Sequence, residues 1–181
     1  TAVVDVINEG HLSFGENQLQ EIESKWLGLR KDYPNTKLHF IGTIQSRKIQ
    51  SIFNNCDEIH SVDRMKIVQE IKKLENETKI EKDYFLQINT GDEMQKSGIV
   101  LADVDQFINQ CATEYDFKIK GLMCIPPVNE DPSSHFKTLR DIAKNHQIKC
   151  LSMGMSNDYD IAIKCGATHI RIGTSIFGER I

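Results

Sequence analysis

The residues best suited to bind a ligand lie near the end of the sequence, in the segment RIGTS at positions 171–175. Glycine lets the backbone approach a ligand closely, threonine and serine offer hydroxyl and N–H groups, and an arginine presents a fixed fork of donors. This combination suits an anion. Ser156, in the earlier segment SMGMSND, adds another hydroxyl. We expect Gly173, Thr174 and Ser156 to hold a phosphate group while Arg171 contacts the rest of the same ligand.

Other polar residues are weaker candidates for a site. His39 lies in the strand-like segment KLHFIG, and His60 precedes SVD. A lone histidine on a strand is more often a hydrogen-bonded core residue than a binding one. Asn17, which ends FGEN, most simply caps a helix. For Arg171 and Gly173 the pattern alone leaves two interpretations open, an anion site or a buried ion pair beside a turn glycine.

Several classes of chemistry have no support in the sequence. The patterns of a Ser–His–Asp hydrolase, an HExxH metalloprotease and a GxxxxGK[ST] phosphate loop are absent. The five cysteines are an odd number and widely spaced, with no CxxC pair and no neighbouring histidine at metal-ligand spacing. We therefore predict neither a disulfide framework nor a metal site, and we expect reduced thiols in a cytoplasmic protein.

Composition and charge exclude further classes of protein. The 181 residues carry 22 Lys and Arg against 26 Asp and Glu, a net charge of −4, and the basic residues are scattered. Because no basic stripe is present, we expect no nucleic-acid partner. No apolar run approaches the roughly 18 residues of a membrane span, and no signal peptide opens the chain. The sequence therefore predicts a cytoplasmic protein without a membrane partner.

Strand-like and helix-like segments alternate along the chain. Seven short apolar runs predict strands near residues 12–15, 37–42, 58–62, 84–89, 118–125, 149–155 and 168–173. Between them lie helical patterns with apolar stripes, of which one example is Leu19, Ile22, Trp26 and Leu29. The chain opens directly on a further helical pattern with no strand before it.

This alternation predicts a parallel α/β architecture. Units spaced by about 25 residues favour a (β/α)8 TIM barrel over an open doubly wound sheet. Seven strands are one short of a barrel, so we expect the first strand to lie upstream of Thr1. The strands near 12–15 and 168–173 would then have unpaired edges. We expect residues 1–181 to form a single barrel domain that lacks its N-terminal strand.

The barrel places the ligand-binding candidates at one end. In this fold the site is built from the loops that follow the strands, and the loops after the last two strands often bind phosphate. Ser156 follows the strand near 149–155, while Gly173 and Thr174 end the strand near 168–173. Each position precedes a helix start, where free N–H groups favour an anion.

Six segments carry a family resemblance, in this order: FGENQLQE, LHFIGTIQSRK, IHSVDR, LQINTGDEMQKSG, IKGLMCIPP and LSMGMSNDYDIAIKCGATHIRIGTSIFGER. They resemble the pyridoxal 5′-phosphate homeostasis proteins. The resemblance runs the length of the chain, and its motifs are highly specific, especially the last thirty residues. It implies a stand-alone barrel of the alanine-racemase N-terminal type that carries pyridoxal 5′-phosphate (PLP).

The resemblance also implies six cofactor-binding residues: Asn17, His39, Ser156, Arg171, Gly173 and Thr174. The serine and the last two residues would bind the phosphate, and the arginine would face the pyridine nitrogen. Asn17 and His39 would lie near the cofactor ring. A guanidinium cannot accept a proton, so an arginine at this place leaves the ring nitrogen neutral and supports carbanion chemistry poorly.

In one respect the sequence departs from this family. Its members hold PLP as a Schiff base on a lysine at the end of the first strand, which we expect upstream of Thr1. No lysine of the sequence is an obvious replacement. We therefore predict no catalytic residue among the 181, and we expect any PLP that they bind without this anchor to bind weakly.

The resulting hypothesis is a monomeric PLP-binding protein of intracellular PLP homeostasis, without substantial catalysis and with PLP-dependent apoenzymes as candidate partners. The alternative is a PLP-dependent amino-acid racemase or decarboxylase-like enzyme. Racemases of this fold add a β-rich domain that completes the site and supplies a base. Because only three residues follow Gly178, we expect no such domain. A phosphate-binding barrel unrelated to PLP is a third interpretation.

Overall fold

In the computed structural model, which describes residues 2–93 and 95–178, strands and helices alternate as the sequence predicts. The strands are β1 (Ser13–Glu16), β2 (Lys37–Phe40), β3 (Glu58–Val62), β4 (Asp83–Asn89), β5 (Ile99–Val100), β6 (Ile119–Met123), β7 (Cys150–Met155) and β8 (His169–Arg171). All seven predicted strands are present, within two residues of their predicted bounds. The two-residue β5, in the long loop after β4, was not predicted.

The helices cover the outside of the sheet. They are α1 (Ala2–Asn8), α2 (Leu19–Glu21), α3 (Leu27–Asp32), α4 (Ile49–Asn55), α5 (Met65–Thr78), α6 (Val104–Tyr115), α7 (Pro132–Asn145), α8 (Tyr159–Lys164) and α9 (Thr174–Phe177). A π-helical turn, Ile22–Trp26, joins α2 to α3, and short 3-10 turns precede α4 and α6. Ile22 and Trp26 are fully buried, which confirms the predicted stripe. In the described ranges, none of the helices combines the length and the apolar character needed to cross a membrane.

The strands form one parallel sheet in the order β1-β2-β3-β4-β6-β7-β8, with β5 paired to β4. Because the spatial order follows the chain, the sheet curves into a barrel instead of reversing direction as a doubly wound sheet does. This confirms the predicted fold class. Within the described residues, β1 and β8 are the ends of the strand order. The strand expected upstream of Thr1, and residues 179–181 of the C-terminal motif, lie outside them.

The barrel interior contains both aromatic and polar side chains. A Cβ atom on Gly121 would come within 2.3 Å of the Phe85 ring, so the glycine leaves room for that ring inside the barrel. Phe85 stacks on His60 with ring centroids 4.0 Å apart. This packing explains why a histidine on β3 is almost completely buried.

Candidate ligand-binding site

The loops that follow β7 and β8 meet at the C-terminal end of the barrel. The backbone N–H of Ser175, in the first turn of α9, donates to Oγ of Ser156 with an N–O distance of 3.4 Å. Gly173 is the N-cap residue of α9, and a Cβ atom placed there would meet nothing within 4 Å. Thr174 begins the helix. The structure therefore brings Ser156 beside Gly173 and Thr174, next to open space.

Gly154 shapes the loop that carries Ser156. Its φ angle is +94°, and a Cβ atom there would lie 2.6 Å from Cβ of Ala162 on α8. Glycine adopts this left-handed conformation without the steric cost that a side chain would add. The carboxylate of Asp158 accepts a hydrogen bond from the backbone N–H of Met155 at 2.6 Å. Close packing of α8 on β7 thus sets the position of Ser156.

Arg171 lies at the end of β8 and points into the barrel. Its Nη1 donates to Oγ of Ser152 on β7 at 2.8 Å, and its Nη2 donates to the backbone carbonyl of Cys124, after β6, at 2.9 Å. Burial lowers the pKa of Arg171, although a guanidinium remains charged at neutral pH. Across residues 2–93 and 95–178, no carboxylate forms an ion pair with it. The ion-pair interpretation of Arg171 therefore finds no support in the described part of the chain.

A chain of polar contacts continues from Arg171 into the barrel. Oγ of Ser152 lies 2.9 Å from Nδ1 of His60, and Nε2 of His60 lies 3.1 Å from Nδ1 of His39. On the far side, Nε2 of His39 lies 2.9 Å from Oγ of Ser13 on β1. His39 is thus buried in the barrel interior and joined to Arg171 through two intervening side chains.

Glu58 lies beneath these histidines and was missed by the sequence analysis. Its Oε2 is 3.2 Å from both Nδ1 of His39 and Nε2 of His60, and its Oε1 accepts from Nζ of Lys120 at 2.8 Å. Burial raises the pKa of Glu58, but the hydrogen bonds from His39, His60 and Lys120 outweigh it and hold the pKa well below its usual range. The signal that could have found Glu58 is its spacing from His60, because residues two apart on a strand share a face.

Burial favours the neutral form of two histidines in contact with Glu58, His60 and His169. Burial lowers the pKa of His60 to about 4, even though the contact with Glu58 acts in the opposite direction. Burial also lowers the pKa of His169, whose Nε2 lies 3.9 Å from Oε2 of Glu58. Neutral imidazoles keep one nitrogen lone pair each, so they can accept a hydrogen bond or bind a metal.

Asn17 lies in the exposed loop after β1, against the loop after β2. A Cβ atom on Gly42 would come within 2.0 Å of the backbone carbonyl oxygen of Asn17, so the two loops can touch only because residue 42 is a glycine. The N-cap position of α2 belongs to Gln18, one residue further on. Because all strands run parallel, Asn17 lies at the same end of the barrel as Ser156.

The barrel with a polar interior defines a known class of domain. The alanine racemase N-terminal domain family matches residues 2–181. The pyridoxal phosphate homeostasis protein of Aquifex aeolicus is 36% identical over an alignment of 182 positions, gaps included, that covers 96% of this chain and 79% of that protein. The chain belongs to the pyridoxal phosphate homeostasis protein family, which confirms the resemblance seen in its motifs.

Solved structures agree with this assignment. PipY of Synechococcus elongatus, in a structure with PLP bound, superposes with a TM-score of 0.88 at 30% identity, over 98% of this chain and 86% of PipY. An alanine racemase of Clostridium difficile superposes with a TM-score of 0.73 at 14% identity, over 98% of this chain and 48% of the racemase. The second similarity shows a shared fold alone.

Proposed function

We propose that this protein binds PLP and takes part in intracellular PLP homeostasis, without substantial catalysis. The observation that carries the proposal is the meeting of Ser156 with the segment 173–175 at the barrel mouth. Membership of a family in which PipY has a structure with PLP bound supports PLP as the ligand.

The residues after β7 and β8 fit a phosphate group. Ser156 and Thr174 each offer a hydroxyl, and open space beside Gly173 allows the backbone to approach an anion. The hydroxyl of Ser156 already lies against the N–H of Ser175, so donors from two strand ends can converge on one anion. We assign the cofactor phosphate to this place, with Asn17 and His39 nearer to the cofactor ring.

The chemistry of the Arg171 guanidinium favours a role in PLP binding over a role in PLP-dependent catalysis. PLP supplies an electron sink for carbanion chemistry when its ring nitrogen is protonated. A guanidinium has donors only, so Arg171 can donate a hydrogen bond to the ring nitrogen but cannot keep a proton on it as a carboxylate would. The contacts with Ser152 and with the Cys124 carbonyl hold the fork of donors in one orientation. The same argument disfavours the racemase and decarboxylase alternative.

We further propose a monomeric, cytoplasmic protein of one domain over residues 1–181 that supplies PLP to PLP-dependent apoenzymes. The five cysteines are all free thiols, which suits a reducing compartment. Light scattering of the purified protein tests the oligomeric state, and a dimer would contradict the monomer.

Equilibrium dialysis with PLP and with pyridoxal, which lacks the phosphate, tests the proposed site. We expect the protein to prefer PLP by about tenfold or more, since charge-assisted hydrogen bonds to the phosphate contribute about 1.5–3 kcal/mol. Ser156→Ala and Thr174→Val should reduce the preference, whereas Thr113→Val, at the exposed C-terminal end of α6 and the other end of the barrel, should not. Equal affinity for the two compounds, or an unchanged preference in Ser156→Ala, would show that the phosphate binds elsewhere.

A racemase assay tests the absence of catalysis. We expect no conversion of L-alanine to D-alanine above the rate of free PLP. Turnover above that rate that disappears in Arg171→Gln would establish the enzymatic alternative.

A further inference from the structure

Three side-chain atoms that could bind a metal ion form a triangle in the barrel interior, on the adjacent strands β2 and β3. Nδ1 of His39 and Nε2 of His60 are 3.1 Å apart, and each lies 3.2 Å from Oε2 of Glu58. All three residues are buried. We propose that this triangle, defined by His39, Glu58 and His60, binds one divalent first-row transition-metal ion such as Zn²⁺. The proposal does not rest on PLP binding, because the residues that we assign to the PLP phosphate lie at the opposite end of the barrel.

The dimensions and the donor atoms fit such an ion. Ligands at about 2.0–2.1 Å from zinc in tetrahedral geometry are roughly 3.3 Å from one another, close to the three edges of the triangle. Two imidazole nitrogens and one carboxylate oxygen form a donor set that binds zinc and non-haem iron in enzymes. The three atoms lie on one face of the ion in such sites and leave further positions for other ligands.

Two adjacent strands hold the three residues in place. The parallel register of β2 and β3 pairs His39 with Glu58, so these side chains are direct neighbours across the sheet. Glu58 and His60 are two residues apart on β3 and therefore point to the same side. A site built on strands keeps its geometry better than one built on mobile loops.

The outer nitrogens of both imidazoles have hydroxyl partners. To bind a metal through Nδ1, His39 must carry its proton on Nε2, which lies 2.9 Å from Oγ of Ser13. To bind through Nε2, His60 must carry its proton on Nδ1, which lies 2.9 Å from Oγ of Ser152. Each hydroxyl oxygen can accept a hydrogen bond from the N–H group of its imidazole. Partners of this kind fix the tautomer and the ring orientation of metal-binding histidines.

Without a cation, the three atoms of the triangle cannot all form favourable hydrogen bonds with one another. Nζ of Lys120, 2.8 Å from Oε1, favours the ionised form of Glu58, so Oε2 can only accept hydrogen bonds. If both inner nitrogens of His39 and His60 carry protons, two donors face each other at 3.1 Å. If one does not, its lone pair faces the carboxylate at 3.2 Å. A metal ion makes three favourable contacts in place of these conflicts, and the two imidazoles need only change tautomer.

An open cleft lies close to the triangle. Lys120 and Asp83 line an open cleft at the N-terminal end of the barrel, and their side chains form an ion pair at 2.7 Å. Since Lys120 also contacts Glu58, one flexible side chain separates the cleft from the carboxylate. His169 offers a fourth nitrogen 3.9 Å from Oε2 of Glu58. The structure thus places an open cleft and an additional ligand-type group next to the triangle.

The test is metal binding by the purified protein after removal of metals with a chelator. Zn²⁺ alone, without PLP, is added and bound metal is measured after dialysis, with Co²⁺ as a spectroscopic probe of coordination. We expect one ion per chain and an increase in melting temperature, since an ion that binds only the native state stabilises it. His60→Asn and Glu58→Gln should lose the ion. His146→Gln, which removes a surface histidine paired with Asp105, should keep it.

Ser13→Ala provides a milder variant in case the buried substitutions prevent folding. Ser13 is on an exposed part of β1, and its hydroxyl is the partner of His39 Nε2. Loss of such a partner weakens metal affinity by about 10–100-fold. The proposal is overturned by the absence of stoichiometric Zn²⁺, by retention of the ion in His60→Asn and Glu58→Gln, or by unchanged affinity in Ser13→Ala.

Discussion

Nη1 of Arg171 on β8 donates a hydrogen bond to Oγ of Ser152 on the adjacent strand β7, at 2.8 Å. The same hydroxyl lies 2.9 Å from Nδ1 of His60. One serine therefore joins the guanidinium that we place beside the PLP ring to the histidine cluster beneath it. The orientation of Arg171 depends on a residue that is not among the proposed PLP contacts.

Replacing Ser152 by alanine should weaken PLP binding indirectly. The substitution releases one arm of Arg171 and leaves the buried Nδ1 of His60 without its partner, which costs about 1–3 kcal/mol of stability. We expect a several-fold rise in the Kd for PLP, smaller than the rise in Arg171→Gln. Dialysis measures the affinity, and fluorescence of Trp26, the single tryptophan, follows unfolding in urea. Wild-type PLP affinity in Ser152→Ala would contradict this role.

Two glycines with similar backbone angles should respond differently to alanine. Gly154 has φ +94° and no room for a Cβ atom, whereas Gly166 has φ +98° and nothing within 4 Å. Gly166→Ala should cost about 1 kcal/mol of stability from backbone strain. Gly154→Ala should cost about 1–3 kcal/mol more, because the methyl group collides with Ala162. Urea unfolding of both variants measures the difference, and equal costs would refute the steric explanation.

The stability of the metal-free protein should fall as the pH is lowered below neutrality. The unfolded chain protonates His60 near its ordinary pKa of 6.5, while the native protein does so only near a pKa of about 4. The unfolded state therefore binds more protons in this interval, and unfolding is favoured by a free energy on the order of 3 kcal/mol at pH 4. The pKa of Glu58 is held low in the native state, so the protein loses further stability as the pH falls through 4.5, the ordinary pKa of this group.

Urea unfolding with a chelator present, at several pH values between 7 and 4, measures this dependence. His60→Gln should show a shallower decrease in stability, because it removes one of the two groups. His146→Gln provides the surface control and should behave as the wild type does. Parallel curves for wild type and His60→Gln would show that His60 does not set the pH dependence.

The thiols should differ in their reactivity towards iodoacetamide. Burial raises the pKa of Cys56, Cys111 and Cys124 to about 12, so at pH 8 only about one molecule in 10⁴ carries the reactive thiolate. Cys150 is half-buried and should react first. Peptide mapping of the native protein after a short reaction gives the order, and labelling in urea gives the complete set. Equal rates at Cys124 and Cys150 in the native protein would contradict the prediction.

Much of the fold could be predicted because its signals are local. The stripe that contains Ile22 and Trp26 faces the core as the helical period requires, and seven strands were recognisable from short apolar runs. The two-residue β5 gives no such signal, since it is too short to show a period and forms by pairing with β4.

The candidate site, like the fold, was predictable from the sequence only in part. Ser156, Gly173 and Thr174 were identifiable because residue type, strand order and family motifs all point to the barrel mouth, and the structure brings these loops together. His39 was recognised as a strand histidine and, through the family resemblance, as a residue near the cofactor ring, but its contacts with His60 and Glu58 were not. Its neighbour Glu58 was not recognised, although its spacing from His60 was visible in the sequence.

The amino-acid sequence by itself determined the alternation of strands and helices, the end of the barrel where the candidate ligand-binding loops lie, and the family. Only the tertiary structure decided that His39, Glu58 and His60 share one triangle and that Ser152 links them to Arg171. The physical reason is that the periodic pattern of apolar side chains, which reveals strands and helices, depends on only a few consecutive residues. Strand register and the curvature of the barrel, which bring residues 39, 58, 152 and 171 together, depend on packing across the whole chain.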